Sequence, residues 1–504
     1  MDIEKQTYEK HEKYLKFYTT MNNQYKGQDQ EYWGLGIENE SYLMFEDLVK
    51  VEKSFIQDNQ LPERYSVDYW KNYKSVKLQD TIRKLPYFGI RAPTYINSYL
   101  FRHTDLLGEH VTLKGSKSKE NPIYSGETID HYLRRVSPEF INFFETNLIY
   151  DGDTFEFTTY NFYKTNVKSV VKELCDVKKT ILAELNKRLV SKFTIFKKQL
   201  VFPKLNYGLA IFVSNLENIA ICNNGTYHIN LTLPTCLNAD GDIKYPEIFK
   251  ATHANAIRAI QWIEPLLVGL YGTPDIMSLL DSSYAGGSQR LAFSRYIGLG
   301  TYDTNIMEKG KLLDTFEYQG KANYFTELHS RSKDSPYMPP KTIGYDFNYN
   351  KFKNHGIELR ILDYFPEEYL ESIMNLLILV CQHSQHGQHG QNSTIPDPRL
   401  NAEWLKLCVK AIKKGSKTKI PHSFYSELYK VFGIKQDSWI FYKWPFFMKA
   451  PMLHVANRLA SDLYKMYSKD SISAKMSPDM KPVVLVDYNS LVKSEFKKLV
   501  YCFR

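Results

Sequence analysis

Four separated segments of this sequence alternate apolar and polar residues, a pattern typical of β-strands that bury one side. They cover residues 33–43, 154–159, 226–234 and 356–366. The odd-numbered positions of each segment carry mainly aliphatic and aromatic side chains, and the even-numbered positions carry mainly Glu, His, Asn, Arg, Thr or Gly. The segments therefore predict an antiparallel sheet whose two faces differ in chemistry.

The polar sides of these four segments share an unusual composition. A solvent-facing side of a sheet commonly carries Lys, Ser and Gln, yet Lys is absent from these positions although the chain is rich in Lys. The polar positions are Gly34, Gly36, Glu38 and Glu40 in the first segment, Glu156 with two Thr in the second, His228 and Asn230 in the third, and Glu358 and Arg360 in the fourth. We interpret them as a functional, concave face rather than a solvated one.

Several carboxylates beside one imidazole form a suitable set of ligands for a hard divalent cation. Mg²⁺ prefers oxygen ligands and is usually bound together with nucleotide phosphates. Zinc would be expected to use Cys or more His, and the six cysteines contain no CxxC pair. The residue types therefore favour Mg²⁺ over zinc.

A fifth segment, 286–303, places two arginines among glycines. Arg290 and Arg295 lie between the pairs Gly286–Gly287 and Gly298–Gly300. Guanidinium groups on an unobstructed backbone suit contact with phosphate oxygens. The spacing differs from that of a P-loop, so the segment indicates phosphate contact without naming a nucleotide-binding fold.

In this order, the segments resemble the carboxylate–amine ligase superfamily with a glutamine-synthetase-like fold, nearest to the glutamate–cysteine ligases and the amidoligases. The resemblance covers roughly residues 30–385. It is carried by a G-x-E-x-E strand, an E-x-T strand, an H-x-N strand, a helix over 258–275, an Arg-bearing loop and a closing E-x-R strand with Asp363.

The resemblance implies an α+β fold in which a curved antiparallel sheet forms an open funnel with flanking helices. ATP would enter from one end, the acid substrate from the other, and Mg²⁺ or Mn²⁺ would lie between them. The implied metal ligands are Glu38, Glu40, Glu156 and Glu358. The resemblance places His228, with Asn230 on the same strand, near the metal or the nucleotide phosphates, and Arg290, Arg295 and Arg360 near phosphates or the substrate carboxylate.

The implied activity is an ATP- and Mg²⁺-dependent ligation. A carboxylate, glutamate-like or part of a peptide or protein, would attack the γ-phosphate and form an acyl phosphate, and an amine would then displace phosphate. Positioning and charge stabilisation would supply most of the catalysis. Two alternatives stay open: an ATP-dependent phosphotransferase, and an inactive scaffold or binding protein on the same fold.

The sequence predicts three regions. The catalytic domain would span 30–385 with an insertion at about 48–150, a polar His/Gln/Gly linker or loop would span 382–398, and a mainly helical region would span 399–504. Apolar periodicity predicts helices over 166–200 and 367–382, and one over 251–271 that is interrupted at Pro265. We expect the charged residues of this last helix to lie at the surface or behind the site.

Charge and targeting signals restrict the expected partners. The net charge of +9 is mild for 504 residues, so we expect no nucleic-acid partner, although basic runs after residue 399 leave a nucleic-acid-binding module as an alternative. No apolar leader and no membrane-length apolar run is visible. We therefore expect a cytoplasmic protein without a membrane contact, monomeric or oligomeric, acting on small-molecule or peptide carboxylates and amines.

Overall fold

The computed structural model describes twenty stretches of the chain. They are residues 27, 31–45, 49–50, 91–92, 95–96, 98–103, 128–151, 154–159, 166–190, 192, 199–205, 225–239, 243–274, 276–279, 282, 285–293, 356–386, 394–434, 449–467 and 482–501. Arg295 and much of the predicted insertion at 48–150 lie outside these stretches. The statements below concern the described residues.

The described strands form one five-stranded sheet and three small ones. In chain order they are β1 (Tyr32–Ser41), β2 (Leu43–Phe45), β3 (Val49–Lys50), β4 (Arg91–Ala92), β5 (Tyr95–Ile96), β6 (Leu148–Asp151), β7 (Thr154–Thr158), β8 (Leu200–Val201), β9 (Thr226–Thr235), β10 (Ile357–Asp363), β11 (Lys419–Ile420) and β12 (Ala450–Pro451). The central sheet has the order β10-β9-β1-β7-β6 with every neighbour antiparallel. The predicted antiparallel sheet is confirmed, and it joins all four alternating segments.

Helices cover one face of this sheet. In chain order the described helices are α1 (Ser98–His103), α2 (Ile129–Val136), α3 (Pro138–Thr146), α4 (Val167–Leu189), α5 (Pro246–Tyr271), α6 (Gln289–Phe293), α7 (Leu370–His386), α8 (Ala402–Lys414), α9 (His422–Val431), α10 (Met452–Tyr467) and α11 (Tyr488–Tyr501). Several begin at a side chain that caps free backbone N–H groups, as Asn401 does for α8. The fold is therefore mixed, with an antiparallel sheet and a large helical share.

The hydrophobic core lies between the sheet and these helices. Helix α4 packs against β1 and β7, α5 packs against β9 and β10, and α7 contacts both helices. The odd-numbered side chains of the strands, such as Trp33, Ile37 and Ile229, are buried in this layer. The even-numbered residues consequently point to the other face, as their alternation predicts.

The helix α5 continues through Pro265, so the predicted interruption is wrong. Proline has no N–H, and it therefore frees the carbonyl of Gln261, four residues earlier. The indole Nε1 of Trp404, in α8, donates a hydrogen bond to this carbonyl over 2.9 Å. Both Trp404 and Gln261 are fully buried. A residue of the C-terminal region thus replaces the helix bond that proline removes.

This replacement predicts how two substitutions interact. The change Trp404→Phe leaves the buried Gln261 carbonyl without its donor, and we expect unfolding to become easier by about 1–3 kcal/mol. In a Pro265→Ala background the backbone N–H returns, so the same change should cost clearly less. Urea denaturation of the four proteins measures the difference, and equal costs in both backgrounds would contradict the assignment.

The C-terminal helices are packed onto the rest of the protein. Helices α8, α10 and α11 contact α5, and α10 also contacts α7. Their apolar residues belong to the same hydrophobic core as the sheet. The mainly helical character predicted for 399–504 is confirmed for its described residues.

The linker predicted at 382–398 begins inside a helix, because α7 continues to His386. His383 there is bonded on both ring nitrogens. Its Nε2 lies 3.0 Å from the Val431 carbonyl, and its Nδ1 lies 2.6 Å from the Tyr467 hydroxyl. Residues 387–393 lie outside the described part. At least the first five residues of the segment are therefore packed helix rather than loop.

The described part of the chain contains no helix that combines the length and apolarity needed to cross a bilayer.

Candidate functional site

The strand register brings the predicted carboxylates together on one face. Glu38 of β1 lies opposite His228 of β9, and Glu40 lies opposite Glu156 of β7. On the other side of β9, Asn230 lies opposite Glu358 of β10. Residues that are far apart in sequence thus become direct neighbours across four adjacent strands.

His228 occupies the middle of this cluster. Its Nδ1 lies 3.0 Å from Glu38 Oε2 and 3.6 Å from Glu358 Oε1, and its Nε2 lies 3.5 Å from Glu40 Oε1. Asn230 Nδ2 lies 3.5 Å from the other oxygen of Glu38. The ligand atoms of Glu38, His228 and Glu358 all lie within 4.8 Å of one another, a spacing that could hold a metal ion.

The cluster is buried. Glu40, Glu156 and Glu358 are each less than a tenth exposed, and His228 is 2% exposed. Two carboxylates directly opposite each other on neighbouring strands repel, and burial strengthens this repulsion. Burial of these neighbouring carboxylates is therefore costly unless a proton or a cation offsets their charge.

The pKa of Glu40 shows the effect of this burial. Burial, reinforced by the negative charge of Asp151, raises the pKa of Glu40 from 4.5 to about 8, although Arg360 and Arg290 act in the opposite direction. Without a cation, Glu40 consequently keeps a proton at neutral pH. A bound cation would favour the ionised form instead, and its binding would then release this proton.

Arg360 lies beside the cluster and forms an ion pair with Glu358 two residues earlier on the same strand. The register of β10 against β9 then shifts between Leu359 and Leu362. This bulge inserts one residue, so Asp363 pairs with Thr226 and shares the face of His228. Strict alternation would have placed Asp363 on the opposite face.

Arg290 approaches the same strand from its outer edge. It lies in α6, is buried, and donates a hydrogen bond through Nη1 to the carbonyl of Arg360. Burial raises the pKa values of both Glu40 and Asp363, and the positive charge of Arg290 offsets part of this effect. Arg295, the second predicted arginine, lies outside the described residues.

The sequence is similar to that of a viral protein. The chain is 38% identical over 496 residues to an uncharacterized protein of Acanthamoeba polyphaga mimivirus, and the match covers 95% of this chain and 81% of the relative. The chain belongs to the family of this mimivirus protein. No protein-family model matches the sequence.

The structure adds two acidic residues of this family member to the polar face. Asp151 ends β6 and pairs with Thr154, which puts it on the side of Glu156. Asp363 accepts a hydrogen bond from the Thr273 N–H over 2.9 Å, and burial raises its pKa from 3.8 to about 6. Asp151 was missed because the predicted strand segment begins at 154, whereas in the structure a further strand, β6, precedes it and ends at Asp151.

Two buried polar residues support the site from behind the sheet. Lys178 of α4 donates to Asn39 Oδ1 over 2.6 Å and pairs with Glu367, and Asn39 in turn donates to the Thr226 carbonyl over 3.1 Å. Asn39 lies between Glu38 and Glu40 in sequence. This network therefore holds β1 against β9 at the level of the carboxylates.

The helix α5 also holds β9 in place. His253 Nε2 accepts a hydrogen bond from the Leu233 N–H over 3.1 Å, and Nδ1–H donates to the Phe249 carbonyl over 2.7 Å. His253 and Glu264 are buried. Of the two placements expected for the charged residues of this helix, the surface placement is therefore wrong for these two residues. Burial lowers the pKa of His253 to about 3 and keeps the ring neutral, although the bond to the Phe249 carbonyl acts in the opposite direction.

Proposed function

We propose that the protein is an ATP- and divalent-cation-dependent ligase that joins a carboxylate to an amine on a glutamine-synthetase-like sheet. The observation that carries the proposal is the buried group of Glu38, Glu40, His228 and Glu358 on one face of an antiparallel sheet. A solvated sheet face would not bury three glutamates in this way. A cation-binding face accounts for both their burial and their crowding.

The donor set fits a hard cation. Carboxylate oxygens dominate it, a single imidazole completes it, and Cys is absent from the group. Glu38, Glu358 and His228 would hold one ion, with Glu40 and Glu156 beside them. A bound Mg²⁺ or Mn²⁺ would neutralise phosphate charge and orient the transferred group.

Two arginines near this face, Arg360 and Arg290, support the proposed contact with anionic groups. The Arg360 guanidinium is held by Glu358, and Arg290 is held at the same strand by the Arg360 carbonyl. Fixed guanidinium groups can bind the γ-phosphate and the acid substrate without reorganising during the reaction. This arrangement supports acyl phosphate formation followed by attack of an amine.

The proposal is tested by measuring ADP and phosphate release from Mg²⁺-ATP. Amino acids and short peptides serve as acids, and ammonia, cysteine and other amines serve as acceptors. We expect release that requires both an acid and an amine and yields an amide. Release with a phosphorylated product would instead indicate a phosphotransferase, the second activity that this face could support.

The variant Glu38→Gln separates specific turnover from contamination. It preserves the size of the side chain and an acceptor for His228, but it removes one charged ligand. We expect it to abolish release. If the unmodified protein shows no turnover and does not bind Mg²⁺-ATP, the proposed function is contradicted and an inactive scaffold is favoured.

A further inference from the structure

The C-terminal region reaches the candidate site through a short stretch of backbone. We define residues 285–288 as the glycine segment, which directly precedes α6 and Arg290. We propose that Asn489 of α11 is a positioning residue for Arg290 and acts through this segment. The proposal deepens the proposed function and rests on it for the role of Arg290.

The glycine segment is bound to the end of α8. The N–H of Gly286 donates to the Lys413 carbonyl over 2.7 Å, and the N–H groups of Gly287 and Ser288 donate to the Ile412 carbonyl over 2.9 and 3.2 Å. The last carbonyls of a helix have no partner within the helix. The segment supplies these partners, so its path is determined by the position of α8.

Glycine is required here by close approach of backbone. A Cβ atom on Gly287 would lie 1.8 Å from the Ala411 carbonyl oxygen, and one on Gly286 would lie 2.9 Å from the Lys413 carbonyl oxygen. The sequence interpretation assigned these glycines to phosphate contact. The structure instead explains them by packing against the C-terminal region.

The side-chain amide of Asn489 completes this junction. Asn489 is fully buried, and its Nδ2 donates towards the carbonyls of Gly272, Gly287 and Gly286 at 2.8, 3.2 and 3.3 Å. Its Oδ1 accepts from the Ser416 N–H over 3.2 Å and from Lys493 Nζ over 2.6 Å. Donors and acceptors on both sides therefore determine the orientation of the amide.

From this junction the contacts lead directly to the site. The Gln289 N–H donates to the Thr273 carbonyl over 2.7 Å, and the Thr273 N–H donates to Asp363. Ser288 Oγ accepts from the Leu291 N–H over 3.1 Å at the start of α6. Arg290 lies in sequence between Gln289 and Leu291, whose N–H groups make these bonds, and its own side chain donates to the Arg360 carbonyl.

The variant Asn489→Asp tests the proposal with a minimal change. It keeps the acceptor that faces Ser416 and Lys493, but it replaces the donor that faces three carbonyl oxygens with a second acceptor. We expect faster hydrogen exchange at the 286–288 amides and about tenfold weaker Mg²⁺-ATP binding. Mn²⁺ binding in the absence of nucleotide should not change, because the ligand group of Glu38, His228 and Glu358 lies on β1, β9 and β10, whereas Asn489 bonds the backbone of the glycine segment.

A matched control is Asn457→Asp in the same region. Asn457 bonds the Leu485 backbone through both amide atoms, at 3.1 and 2.7 Å, and these two bonds lie outside the glycine segment. We expect a comparable loss of stability without a change in Mg²⁺-ATP binding. Equal weakening by both substitutions would show a general structural effect and overturn the proposal.

A double-mutant cycle with Arg290→Ala identifies the route of the effect. If Asn489 acts through Arg290, Asn489→Asp should weaken Mg²⁺-ATP binding little further once Arg290 is removed. The same factor in both backgrounds would contradict the proposal. If the unmodified protein does not bind Mg²⁺-ATP, the proposed function fails. Hydrogen exchange at the 286–291 backbone amides would still decide whether Asn489 positions the glycine segment.

Discussion

Glu38→Gln is expected to weaken Mn²⁺ binding at least about a hundredfold, because it removes a charged ligand from the group of Glu38, His228 and Glu358. The folded protein without metal should not lose stability, since the change also removes one of several crowded, buried carboxylates. Calorimetric titration with Mn²⁺ and thermal unfolding with and without the ion measure the two effects.

Glu184→Gln is the matched control for this prediction. Glu184 is also a buried glutamate, but it lies in α4 and is bonded by Ser137 and Arg188. Its substitution should reduce stability and leave Mn²⁺ binding unchanged. If the unmodified protein binds no divalent ion at millimolar concentration, the cation assignment is wrong.

Acidification is expected to destabilise the protein through His253. Its pKa in the folded state is about 3, against 6.5 in an ordinary environment, because burial disfavours the charged ring. The folded state therefore binds this proton less readily than the unfolded state. The stability contributed by neutral His253 is complete above pH 6.5 and is lost as the pH falls towards 3, by up to roughly 5 kcal/mol.

The variant His253→Gln isolates this contribution. Gln can donate to the Phe249 carbonyl and accept from the Leu233 N–H, but it does not titrate. The difference in unfolding free energy between the two proteins should shrink or reverse as the pH falls from 7 to 4. His422→Gln serves as control, since burial also lowers the pKa of His422 but this side chain is only partly buried, so its effect on the acid dependence should be smaller. Parallel pH profiles for His253→Gln and the unmodified protein would refute the prediction.

The faces of the four strands could be predicted because alternation is a local property. Each strand shows which residues share its polar side, and antiparallel pairing preserves that division across the sheet. Glu38, Glu40, Glu156, His228, Asn230 and Glu358 therefore meet as their positions in the alternation indicate. Their roles in metal or nucleotide binding remain predictions.

The parts that could not be predicted depend on contacts between distant residues. The bulge that turns Asp363 to the polar face arises from the pairing of β10 with β9, and no local pattern marks it. The continuity of α5 through Pro265 depends on Trp404, which lies in a different region of the sequence. The reason for Gly287 became visible only when Ala411 was found next to it.

The hydrogen bonds from Trp404 and Asn489 have a consequence for protein synthesis. When residue 385 leaves the ribosome, every strand of the central sheet has been made, yet the Gln261 carbonyl and the glycine segment still lack their partners from α8 and α11. The sheet can pair earlier, but α5 and Arg290 reach their final positions only after the last helix emerges. Ribosome-bound chains that stop before 489 should therefore expose this half of the site to proteases.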